Sequence, residues 1–362
     1  MATQPKQEPT PSLNQQKVEA FLHKFVGDLA ASMGTTLVLV GEKLGLYKAL
    51  SGAGPLTPAE LAARTSTNER YIREWLSAQA ANGYVEYDAR SGKFRLPDEH
   101  SLLLANEDGP AYIPGAFRML SSLFRDEHKI TEAFRSGDGV GWHEHHGDLF
   151  DGVEKFFRPT YLHNLTTAWI PALEGVEAKL KKGAAVADVG CGHGASTIVM
   201  AQTYPESSFF AFDYHQASIE KARQRAEKAG VQHRARFEVA TSKDFEDRSY
   251  DLVCFFDCLH DMGDPIGALK HVRETIEDDG TVMVVEPMAN ETLAENLNPV
   301  GAVFYAASTM ICTPASKAQE VGAALGAQAP ESKLREVAAA GGFKRFRRAA
   351  ETPFNRVYEL RP

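Results

Sequence analysis

The sequence predicts an α/β protein with a Rossmann-like sheet, preceded by a helical winged-helix domain. Three observations predict it. An apolar run at 184–189 breaks into Gly190, Gly192 and Gly194, then continues as helix-like sequence from Ser196 and a second apolar run, 208–212, ending in Asp213. That order is strand, glycine turn, helix, strand. Further apolar runs at 250–256 and 281–285 each end in a polar cluster, as buried parallel strands do at their ligand-facing ends. Upstream, residues 56–96 combine two capped helices with a short hairpin.

The 362 residues suffice for two domains, and 43% apolar with 24% charged residues is ordinary for a globular protein. A net charge of -9 argues against a general nucleic-acid binder. Cys191, Cys254, Cys258 and Cys312 have no Cys-x-x-Cys spacing, which suggests a reducing compartment and no structural zinc. The first 15 residues have no apolar core of a secretory signal, and no apolar run reaches 18 residues. The expectation is a cytoplasmic protein that does not engage a membrane.

Residues 1–15 are polar and proline-bearing and read as a disordered tail. The helical domain then spans 16–100. A first helix runs from near Asn14 to Met33, with Val18, Phe21, Leu22, Phe25, Val26 and Leu29 as a broad stripe, and a second covers 34–50. These helices pack either on a twin subunit or on the chain's own body. Thr57, Pro58 and Glu60 form a capping box with proline at the first helical position. Ser66 or Thr67 is expected to cap the next helix, 68–81. Strands at 84–87 and 93–96 flank the Ser91-Gly92 turn and complete the winged helix. Such a fold can enter a DNA groove. Here residues 1–100 carry 11 basic and 11 acidic side chains, so the attraction to phosphate is missing and a packing or dimer role is preferred.

Residues 101–180 read as a helical connector and pocket wall, with Phe117 on an apolar face. The segment Gly141-Trp142-His143-Glu144-His145-His146 holds three histidines but no evident tetrahedral set, so Trp142 is read as part of a loop over an apolar ligand rather than a metal centre. Tyr161, on the following helix, is a further wall candidate.

The domain 181–362 carries the chemistry. Asp213, at the tip of the second strand, can take two ribose hydroxyls. Ala195 stands where a dinucleotide fingerprint has its third glycine, which disfavours an adenine-dinucleotide oxidoreductase. Asp188, just before the turn, suits a ligand ammonium better than a phosphate. Together they point to S-adenosylmethionine. Gly190, Gly192, Gly194, Asp213 and Tyr214 are expected at the cofactor, with Thr241 and Ser242 after the third strand and Asp257 after the fourth. His260, three residues beyond Asp257, is a natural base at neutral pH. Glu286, at the end of the neighbouring strand, can hold its second ring nitrogen, with Asp261 as the alternative. Residues 288–330 are expected to cover the site, bringing Phe304, Tyr305 and Met310 to an apolar acceptor.

These motifs resemble class I methyltransferases that use S-adenosylmethionine. The likeness runs from the winged helix to the C-terminus and is nearest to bacterial small-molecule and plant caffeate-type O-methyltransferases. The stretch Leu259-His260-Asp261-Met262-Gly263-Asp264 is similar to the family's His-Asp-Trp-x-Asp segment, whose histidine is the general base. Met262 replaces the tryptophan, and Thr241 stands where many members have an aspartate at the adenine. The resemblance implies a seven-stranded sheet with a reversed last hairpin, a homodimer, and methylation of a small-molecule hydroxyl. A non-catalytic cofactor-binding or DNA-associated regulator is the other reading.

Overall fold

The computed structural model describes residues 13–362, which divide into two compact units at Ala105 and Asn106. Most of the expected tail lies outside the described residues.

In the first unit one continuous helix, Gln15–Lys43, replaces the expected pair. Asn14 caps it, accepting from Lys17 N. Gly34 does not interrupt it, because an isolated glycine costs a helix only about 1 kcal/mol. The break comes instead at Gly45, where φ is +66°, before Leu46–Leu50. Gly41 permits a close approach: a Cβ there would lie 2.6 Å from the Trp75 ring and 2.7 Å from Tyr47. The Thr57–Glu60 capping box starts Pro58–Thr65 as expected. Asn68, not Ser66 or Thr67, caps Glu69–Ala81, accepting from the Arg70 and Tyr71 amides. Strands β1 (Glu86–Asp88) and β2 (Lys93–Arg95) pair antiparallel as the wing. Phe21, Leu22, Phe25, Val26 and Met33 remain exposed along the first helix. Among the described residues this is the one helix long and apolar enough to cross a membrane.

The second unit is built on seven strands: β3 (Ala185–Val189), β4 (Ser208–Asp213), β5 (Ala235–Val239), β6 (Tyr250–Phe256), β7 (Ile276–Pro287), β8 (Arg345–Glu351) and β9 (Asn355–Arg361). Their order is β5-β4-β3-β6-β7-β9-β8. The first five are parallel, and β9 runs antiparallel to both β7 and β8. The strand order therefore reverses between β3 and β6, leaving a crevice at their carboxyl ends. Ala187, Val189, Val253, Phe255, Val282 and Val284 face one buried side, while Val186, Leu252, Cys254, Met283 and Val285 face the other. Both faces are covered, so the strands are nearly continuously apolar.

Gly194 caps helix Ala195–Thr203 at φ +77°, with the Phe237 ring 2.6 Å from where a Cβ would stand. Gly194→Ala is expected to lower stability by about 1–3 kcal/mol, from left-handed strain and the clash, measured by chemical denaturation.

Candidate active site

A cavity of about 460 Å³ opens at the crevice, within the size range of ligand pockets, about 300–1,000 Å³. Its floor is the β3 turn, with Gly190 at φ +79° and Gly192 at φ +52°. Gly190 has no room for a side chain, since a Cβ would meet Cys258 Sγ at 2.8 Å. Gly192 faces open space. Asp213 holds this turn: one carboxylate oxygen accepts from Gly192 N at 2.9 Å, the other from His215 N at 2.8 Å. Burial raises its pKa, and those two amides oppose the rise. Tyr214, Thr241, Ser242 and Asp257 complete this side of the lining. Thr241 also donates to Asp244 at 2.7 Å.

Asp257 sits at φ +50°, a conformation aspartate tolerates better than most residues. One of its oxygens accepts from Asn355 Nδ2 at 2.7 Å, while the other is buried without a partner. Burial and the nearby Glu286 hold its pKa well above the carboxylate range. The opposite wall is aromatic: Trp142, Phe150, Phe157, Tyr161 and Phe256. Trp142 and Phe150 meet edge to face at 5.4 Å, and Tyr161 meets Phe256 at 5.3 Å.

His260 lies on the 3₁₀ turn Leu259–Asp261, with only 3% of its surface exposed. Its Nδ1–H donates to Glu286 Oε2, and its backbone N–H to Glu286 Oε1 at 3.3 Å. Nε2 faces Asp261 Oδ1 at 3.0 Å. Burial disfavours the charged ring, but the Asp261 and Glu286 carboxylates outweigh it and raise the His260 pKa well above its ordinary value. Asp261 itself lines the cavity; His260 and Glu286 stand immediately behind it. The next helix, Pro265–Thr275, is capped by Asp264 and not by His260.

Several expected site residues lie elsewhere. Asp188 is buried and off the cavity wall; its Oδ2 accepts from Ser196 Oγ and Thr197 Oγ1, both at 2.6 Å, and its Oδ1 has no partner. It therefore braces the turn from beneath. Gly194 serves packing. Phe304 and Met310 pack on a small cluster with Leu123, Leu149 and Ile311, and neither they nor Tyr305 and Phe117 reach the lining. From the expected cover, Ala315, Gln319 and Glu320 line the cavity instead. The sequence reading missed His193, whose pKa burial pushes down to about 4, and the apolar Val153 and Phe157. The last two fall on helix Asp148–Thr160 at a spacing of four, a face visible in the sequence. Among the segment 142–146, His145 is buried against Asp126 at 3.1 Å.

Burial raises the Asp188 pKa to about 6. The folded chain then keeps a proton that the unfolded chain, with a carboxyl near 3.9, has already released. Stability falls as pH rises from about 4 to about 6, by up to about 3 kcal/mol. Asp188→Asn is expected to flatten that decline in denaturation midpoints measured across the window.

The donor set fits S-adenosylmethionine: an open glycine turn, the Asp213 carboxylate and the unpartnered Asp257 oxygen converge on one cavity. Comparison with known proteins bears on the domains and the fold. Residues 180–335 match the family model described as a methyltransferase domain, and residues 32–106 match the Rv2258c-like winged HTH domain. The fold is similar to human N-acetylserotonin methyltransferase in complex with SAM, at TM-score 0.71 and 17% identity over 98% of this chain and 99% of that one. It is similar to an O-methyltransferase family protein from Burkholderia thailandensis, at TM-score 0.69 and 16% identity over 94% and 98%. The mitomycin 7-O-methyltransferase MmcR gives 0.62 and 17% over 96% and 100%. A 106-residue stretch is 28% identical to part of the polyketide synthase ThaQ of Burkholderia thailandensis, spanning 29% of this chain and 5% of that protein.

Proposed function

Given a class I S-adenosylmethionine-dependent methyltransferase domain behind an N-terminal winged helix, we propose that the protein methylates a small-molecule hydroxyl, most simply a phenol, with His260 as general base. The observation that carries this reading is the Asp261–His260–Glu286 row ending at the cavity wall. Bound S-adenosylmethionine supplies an electrophilic methyl group. The chain's task is to position the acceptor oxygen and take its proton. A phenol, with a reference pKa near 10, needs that help at neutral pH. Asp261 meets the acceptor proton, His260 draws it inward, and Glu286 steadies the imidazolium. The reactive form has neutral His260. The aromatic wall suits a flat apolar acceptor. A labelled-methyl screen over phenols tests this; transfer confined to amines or thiols sinks the hydroxyl assignment.

The winged helix supports assembly better than DNA binding. Its Glu69–Ala81 helix pairs Arg70 with Glu74 and Arg73 with Glu69, leaving no free cationic face along that turn. The exposed Phe21, Phe25 and Met33 suit a second copy of the chain. Phe25→Asp is expected to shift the protein from dimer to monomer in light scattering. A wild-type monomer, or retarded random DNA at low salt, contradicts this assignment.

A further inference from the structure

We infer that His260 Nε2, Asp261 Oδ1 and Cys312 Sγ form a zinc site, and that zinc bound there switches the methyltransferase off. The switching part rests on the function proposed above; the binding part does not.

One ligand atom from each of the three residues lies within 4.8 Å of the other two, and His260 Nε2 stands 3.0 Å from Asp261 Oδ1. A tetrahedral zinc with bonds of about 2.0–2.3 Å spaces its ligands roughly 3.3–3.7 Å apart. Small side-chain rotations bring the set to that spacing. Asp261 Oδ1 is buried and, although 3.0 Å from His260 Nε2, has no well-aligned hydrogen-bond partner. When Nδ1–H donates to Glu286, the Nε2 lone pair points at a carboxylate oxygen, an arrangement that calls for a proton or a cation between them. The Glu286 contact is also the outer-sphere carboxylate that orients zinc-bound histidines.

Local structure holds the third ligand in place. Cys312 ends a π-helical turn, Ser308–Cys312, of a kind that often marks functional positions. The segment after it is tied to the His260 loop: Ser316 Oγ donates to Met262 O at 2.8 Å, and Gln319 Nε2 to Asp261 O at 3.0 Å. Asp261 lines the cavity, so an ion enters from there. The chemistry balances simply. Zinc takes the Nε2 lone pair, one carboxylate oxygen and the thiolate, and the Cys312 proton goes to solvent. The lone pair that receives the acceptor's proton is then occupied.

The test uses the full chain, freed of metal by a chelator and titrated with zinc against a chromophoric competitor, and separately with cobalt. One ion per chain is expected, with a thiolate-to-cobalt charge-transfer band. Cys312→Ser is expected to lose the band and bind zinc at least about tenfold more weakly. Asp261→Asn gives a second weakened variant, and unfolding curves confirm that both variants fold. The ratio of turnover with zinc to turnover after chelation is expected to be far below one for wild type and near one for Cys312→Ser. Substoichiometric binding, or equal affinity in wild type and Cys312→Ser, overturns the site. Stoichiometric zinc with unchanged turnover overturns the switch. S-adenosylhomocysteine affinity, measured in parallel, separates either failure from a failure of the methyltransferase reading.

Discussion

His260→Ala is expected to lower turnover of a phenolic acceptor by about 10²- to 10⁴-fold, the range typical of removing a general base. Affinity for S-adenosylhomocysteine should hardly change, because His260 lies behind Asp261 and off the cavity wall. Glu286→Gln should give a smaller loss, since a neutral amide still accepts from Nδ1 but no longer steadies an imidazolium. Radiolabelled-methyl assays alongside calorimetry separate the two quantities. Unchanged turnover in His260→Ala would remove the base assignment. Lost cofactor affinity would reassign His260 as a structural prop of the β6 rim.

Asp213→Ala is expected to weaken S-adenosylhomocysteine binding by about 100-fold or more. Two contributions add. The side chain fixes the Gly192 and His215 amides, at 2.9 and 2.8 Å, so its loss frees the turn. Its carboxylate also presents the charged acceptor for a ribose, and a hydrogen bond to a charged group contributes about 1.5–3 kcal/mol. Asp213→Asn should fall between, keeping an acceptor without the charge. Calorimetry on folded variants checks the order. Equal affinity in Asp213→Ala and wild type would place the nucleoside elsewhere.

Local chemistry explains what the sequence made legible. The β3–Gly190–Gly192–β4–Asp213 unit is contiguous, and its spacing alone puts acid and turn together, as the Asp213 to Gly192 contact shows. The Glu286 and His260 pairing followed from β6 and β7 being neighbours, since Glu286 is in the last residues of β7 and His260 on the turn that follows β6. Apolar residues were harder to place. Phe304 and Met310 have the composition of pocket walls, but a satellite core with Leu149 claims them, and pattern does not tell the two fates apart. Asp188 has the right position for a ligand contact; two hydroxyls from the next helix, Ser196 and Thr197, occupy one of its oxygens. The expected boundary between residues 33 and 34 falls inside the continuous Gln15–Lys43 helix, where Gly34 and Thr35 are buried.

The most direct measurement is calorimetric titration of the purified full chain with S-adenosylhomocysteine. Saturable binding at one site per chain, much weakened in Asp213→Ala, is the predicted result. A well-folded wild-type protein that shows no heat of binding to this ligand or to S-adenosylmethionine would contradict the assignment of the crevice as the cofactor site.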